Sequence, residues 1–150
     1  MTAEIYIDSQ AFASSIMAEF NRVKIPCQAA MAEAVMETTR NNFGQSGEDR
    51  PVEWEALKDS RYAKKVGRDY ATLNLNGELE SSITFDGSNA DAAVVYCDNE
   101  PVYATAHQYG EGRMPERPFF PIVPMSNELT PTMQAKCLDV CDRTLTELLK

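Results

Sequence analysis

The sequence predicts an α+β fold: a small antiparallel sheet packed by a long kinked N-terminal helix and a C-terminal helix, with a long charged loop. Three observations predict it. Apolar residues recur at three- and four-residue spacing in one long stretch near each end. Short β-branched and aromatic runs, bounded by turn residues, lie between those stretches. A polar stretch at 45–70 separates the first helical pattern from the first of these central runs.

Glu4–Asp8 alternates, with Ile5 and Ile7 on one face and Tyr6 on the other, and reads as a short strand. Asp8 or Ser9 can cap the helix that follows. Phe12, Ile16, Phe20 and Val23 share one helical face, and the pattern resumes after Pro26 with Cys27, Met31, Val35 and Phe43. A proline inside a helix removes a donor and clashes with the preceding turn. One long kinked helix or two in tandem therefore fit, ending near Asn42, with Gly44 as the stop.

In the 45–70 loop the acids come first (Glu48, Asp49, Glu53, Glu55, Asp59) and the bases second (Lys58, Arg61, Lys64, Lys65, Arg68). Trp54 and Leu57 anchor it at helical spacing. A loop of this length in a compact domain suits reaching a neighbouring subunit, the alternative being an insertion pinned by Trp54. Glu78–Ser82 reads as a helical turn. Ile83–Phe85 and Ala92–Cys97 read as strands with a turn opening at Asp86-Gly87. Val102–Tyr109 fits a short helix, and Phe119–Val123 an edge strand because of Pro121. Thr130 or Asn127 can cap the last helix, with Pro131 in its first turn. Its apolar face is Met133, Cys137, Val140, Cys141, Leu145 and Leu148.

One domain over 1–150 fits the length, and 43% hydrophobic with 25% charged residues is a globular composition. No run of about 18 apolar residues predicts a membrane span, and MTAEIYIDSQ does not read as a signal peptide. The four cysteines form no CxxC pair, so free thiols are expected and no metal site from Cys137, Cys141 and His107. The net charge of −9 argues against binding nucleic acid through its phosphates. Six acids (Glu78, Glu80, Asp86, Asp91, Asp98, Glu100) and no Lys or Arg lie between Asn76 and Gly110. They are either a solvated face or a surface that repels polyanions.

Catalytic machinery is not legible. The one histidine, His107, has no serine in a nucleophile-elbow context, and neither a Walker A loop nor a dinucleotide fingerprint occurs. No cofactor is expected, and Glu78 with Glu80 reads as surface rather than as an acid/base pair. The distinctive segment is instead Met114-Pro-Glu-Arg-Pro-Phe-Phe-Pro121. Three prolines stiffen it and remove three donors, and Phe119 and Phe120 are large anchors. His107 is expected to hydrogen-bond its backbone.

Five pieces in order carry a resemblance. They are Trp54-x-x-Leu57, then Tyr62 with Lys64-Lys65, then Leu75-x-Gly77-x-Leu79-x-x-Ser82-Ile83. Tyr103-Ala104-x-x-His107-Gln108-Tyr109-Gly110 and Pro115-x-Arg117-Pro118-Phe119-Phe120 complete the set. Over Trp54–Ile122 the chain resembles the phage virion morphogenesis family, the tail-completion or neck proteins of Mu-like and related long-tailed phages. It departs at Glu116, often Ala in the family, in the Cys97–Pro101 link, and in a longer helical tail after Phe120.

The resemblance implies a non-catalytic virion protein, assembled in the host cytoplasm, that forms a homo-oligomeric ring at the head–tail junction. Six-fold symmetry would match a tail tube. Terminator, completion protein and head-side connector all remain open, as does a tail-assembly adaptor or chaperone absent from the particle. A small hydrolase using His107 is the remoter alternative. Partners would be other neck proteins and the tail tube or head connector, with DNA passing through unbound and no membrane. Trp54, Leu57, Lys64, Lys65, His107, Arg117, Phe119 and Phe120 are the expected structural and interface residues, and the six acids are the expected lumen lining.

Overall fold

The computed structural model describes residues 8–44, 47–55, 73, 77–89, 91–98, 103–112 and 114–150, with only the backbone of Phe12. The elements are α1 (Ser9–Asn41), α2 (Glu78–Ser82), β1 (Ile83–Asp86), β2 (Val94–Cys97), α3 (Ala104–Tyr109) and α4 (Pro131–Leu148). This is the α+β class read from the periodicities. The strand expected from Glu4 falls outside the described residues except for Asp8, and Leu57, Lys64, Lys65 and Glu100 also lie outside them.

Asp8 starts α1. Its Oδ1 accepts from the amides of Gln10 and Ala11, both at 3.0 Å. α1 then runs 33 residues as one helix through Pro26, about 50 Å at 1.5 Å per residue. Of the two arrangements the sequence allowed, tandem helices are excluded. Pro26 has no N–H, so the Arg22 carbonyl loses its helical partner. The helix continues because the next turns are buried: Cys27, Ala32, Ala34, Thr38 and Thr39 all lie in the interior. The helix does not stop on Gly44, which is not left-handed. Asn42 ends it, with its amide on the Thr38 carbonyl at 3.0 Å and its side chain turned to the following loop.

α4 runs antiparallel to the second half of α1. Lys136 reaches Thr38 near one end, and Cys141 lies against Cys27 further along. Thr130 caps α4, accepting from the Met133 amide at 3.2 Å, with Pro131 in the first turn as expected. Met133 and Cys137 pack on Ala34, flanked by Met31, Val35, Leu129 and Val140.

β1 and β2 pair antiparallel, Ile83 opposite Cys97 and Asp86 opposite Val94. Two four-residue strands are marginal in water without a backing surface. Here α1 supplies it. The Arg40 guanidinium donates to the Ile83 carbonyl at 2.6 Å, and Gly87 lies so close that a Cβ there would sit 2.7 Å from that of Ala29. The strands are joined by residues 87–93 rather than a tight turn; Asp86 Oδ1 accepts from the Ser88 amide and hydroxyl. Leu79 and Ile83 join Phe43, Ala104 and Phe119 in the second core cluster.

The expected edge strand at Phe119–Val123 does not form. Only an isolated bridge, Ile122 with Leu129, occurs there. Its backbone is engaged by side chains instead of by a neighbouring strand.

Candidate functional site

A proline-rich segment must find partners for its backbone without a regular ladder. In residues 117–121 all three amides and the carbonyls from Pro118 to Pro121 are engaged. The Arg117 amide donates to the His107 carbonyl at 2.6 Å. The Phe119 and Phe120 amides both donate to Gln108 Oε1, at 3.0 and 3.1 Å. The Pro118 carbonyl accepts from Trp54 Nε1 at 3.0 Å and the Phe119 carbonyl from Asn42 Nδ2 at 2.9 Å. The Phe120 and Pro121 carbonyls accept from the amides of Ile122 and Thr130. This clasp leaves the stretch no free edge for strand addition.

The side chains point inward as well. Phe119 is 1% exposed, its ring tilted against Phe43 with centroids 5.5 Å apart and against Phe120 at 4.8 Å. Trp54 meets Phe43 edge-on at 6.0 Å, and the Arg50 guanidinium lies 3.9 Å over its ring. Arg117 is buried and donates to the Glu55 carbonyl at 3.2 and 3.4 Å. Of the residues expected at subunit contacts, Trp54, Arg117, Phe119 and Phe120 thus converge inside the subunit.

Asn42 is the hub that sequence reasoning missed. Fully buried, it accepts from the amides of Glu48 and Asp49 at 3.0 and 2.8 Å while donating to Asp49 and Phe119. Arg50 donates to its carbonyl at 2.8 and 2.6 Å. Glu48 bonds Lys136 at 2.7 Å and Asn41 at 2.7 Å, and these bonds hold its carboxyl below the usual range. Thr130 donates to the Asp49 carboxylate. The stretch 47–55, expected to reach a neighbour, is ordered on its own chain by these bonds.

His107 needs a second correction. Its carbonyl holds the segment, but Gln108 supplies the side chain. The His107 ring sits edge-on to Tyr103 at 5.8 Å. Burial first, then the nearby Arg117 charge, lowers its pKa below the ordinary value, so it is neutral at pH 7. Burial likewise pushes the Cys27 and Cys137 thiols up, which disfavours the nucleophilic thiolate. Among the described residues no three His, Cys, Asp or Glu gather as metal ligands, and no helix is long and apolar enough to cross a membrane.

The acids do not form one cluster. Glu78 and Asp98 share a polar depression with Arg40, Ser81, Thr84 and Tyr103 beside the Ile83–Cys97 end of the hairpin. Glu80 stands beside Glu78 on α2. Asp86 and Asp91 sit at the other end, about 10 Å away at strand rise.

Fold and site together define a small α+β protein whose distinctive residues build an internal clasp. Residues 9–145 match the phage virion morphogenesis family, and the chain belongs to it. The match takes in both long helices, so the helical tail after Phe120 is part of the family pattern and not a departure from it. No curated protein and no solved structure matches the chain significantly. Membership assigns it a structural or assembly role in a phage particle.

Proposed function

We propose that this chain is a non-catalytic neck or tail-completion subunit, acting as a homo-oligomeric ring that joins tail to head and passes DNA through its centre. One observation carries the reading: the residues of the resemblance that build the clasp are engaged in internal packing and backbone hydrogen bonds. Gln108, Trp54, Arg117 and Phe119 all serve the clasp. What such a scaffold offers a particle is shape. A ring uses two different patches per subunit. Exposed acids at both ends of the hairpin suit a lumen that repels the phosphates of passing duplex. A six-fold ring on a tail tube is the specific expectation, with neck proteins, tube and head connector as neighbours.

Mass measurement of the purified protein, alone and with tail tubes, tests this. A hexamer on tubes, together with the chain in purified virions, is the expected result. Absence from virions favours the assembly-chaperone reading. A His107→Ala chain that fails only in a chemical step, with particles still assembled, favours the hydrolase reading.

A further inference from the structure

We propose that the bare N-terminal half of α1 docks into an apolar groove on a second copy of this chain, an inference that rests on the ring reading. Two apolar features, unpartnered among the described residues, carry it. The first is convex. Every described side chain from Asp8 to Phe20 is exposed, and Ile16, Met17 and Phe20 are 52%, 55% and 53% exposed. Ile16, Phe20, Val23 and Cys27 lie on one helical face. The stripe is therefore a continuation of the face that α4 covers further along. The exposed arm, from Ser9 to Phe20, is the first 12 residues of α1, about 18 Å at helical rise.

The second feature is concave. A groove of about 510 Å³ opens between α1, β2 and the segment after the clasp, walled by Met31, Val35, Val95, Phe120, Ile122 and Leu129. The stripe cannot fill it within one molecule. Met31 and Val35 stand 15 residues along the same rod from Ile16 and Phe20, about 22 Å at helical rise. Stripe and groove can meet only between copies. Such a contact joins different patches and propagates head to tail, as a ring requires.

Charge agrees at one point: Lys24 lies 5.9 Å from the Phe20 ring centroid, while Arg22 and Glu19 pair with each other. Asp91 lines the groove, and Asp86 stands at the start of the same connection. Area sets the strength. One side of an arm about 18 Å long and 10 Å across offers roughly 280 Å², against about 800 Å² per partner in a stable pair. A single arm–groove contact is weak. It persists when each copy both gives an arm and receives one.

The test places photoreactive benzoyl-phenylalanine at position 20 of light chains, mixes them with isotopically heavy chains, and illuminates them alone and on tail tubes. Mass spectrometry should join light position 20 to heavy peptides from 87–98 or 118–129. Cross-links between two position-20 segments, within one copy, or to other surfaces overturn the interface while leaving the ring. Chains that never associate, even on tubes, overturn both. In parallel, Phe20→Glu should weaken association at least tenfold without moving the thermal midpoint. Unchanged association overturns the proposal.

Discussion

Asn42 and Phe20 stand on one helix, yet their surroundings differ completely. Around Asn42 the chain is saturated: six hydrogen bonds converge on one side chain and its carbonyl, and Phe43 and Phe119 pack beside it. Around Phe20 the side chain is 53% exposed, and the long Lys24 side chain lies 5.9 Å from its ring centroid. Both halves carry apolar residues at the same helical spacing. What separates them is the length of the partner, because α4 runs out before α1 does. Apolar periodicity marks a face that wants cover. It does not say whether the cover comes from the same chain.

The contrast breaks most sharply at the two phenylalanines. Phe119→Ala removes a fully buried ring between two others and should cost about 3–5 kcal/mol. Phe20→Ala, on the bare arm, should stay within about 0.5 kcal/mol. Urea denaturation of both measures this. A comparable loss at Phe20 would mean that the arm is covered within its own subunit.

Gln108→Leu comes next. It keeps the volume but leaves the Phe119 and Phe120 amides without their acceptor, at about 1–3 kcal/mol for each buried unpaired group. The expected loss is about 2–4 kcal/mol. Gln108→Glu, which keeps an acceptor, should recover part of it. An undisturbed melt for the leucine variant would show that the clasp is dispensable.

Gln108 also shows how far the sequence could be read. The two long helices, the Asp8 and Thr130 caps and the central hairpin follow from local periodicity and capping chemistry, which neighbouring residues carry themselves. The clasp does not. Its bonds join Trp54 to Pro118 and Asn42 to Phe119, pairs 64 and 77 positions apart. A buried Asn or Gln looks in sequence like any surface polar residue. The proline run was legible as stiff, but a missing donor does not reveal who serves the remaining acceptors. An edge strand was the economical expectation. The side chains of Gln108 and Trp54 take that role instead. The bare arm was legible as amphipathic, and its exposure depends on tertiary lengths that no local pattern encodes.

Gly87→Ala probes the seam between the two regimes, where the hairpin leans on α1. The added methyl would meet Ala29 Cβ at 2.7 Å and its Cα at 2.9 Å, and a helix backbone cannot yield as a flexible side chain does. Overpacking of this kind costs about 1–3 kcal/mol. Ala29→Gly in the same chain should return part of that. Failure of the rescue would place the strain elsewhere.

The smallest expected effect is on pH dependence, and it separates clasp from arm because only the clasp holds a shifted histidine. The His107 pKa is lowered in the folded state from an ordinary 6.5, by burial and then by Arg117. In the window between the folded value and 6.5 the unfolded chain binds the extra proton, so stability falls as pH drops through that window. The contribution is complete above 6.5 and gone below the folded pKa. Glu48 adds a second loss further down, below its ordinary 4.5, as protonation weakens its bonds to Lys136 and Asn41. The measurement is the thermal midpoint between pH 7.5 and 3.5 for the native chain and for His107→Gln. The variant should lose the upper step and keep the lower one. Identical profiles would mean that His107 titrates as freely folded as unfolded, contradicting its burial against the clasp. Phe20→Glu should leave the upper step untouched, since the arm contributes nothing to it.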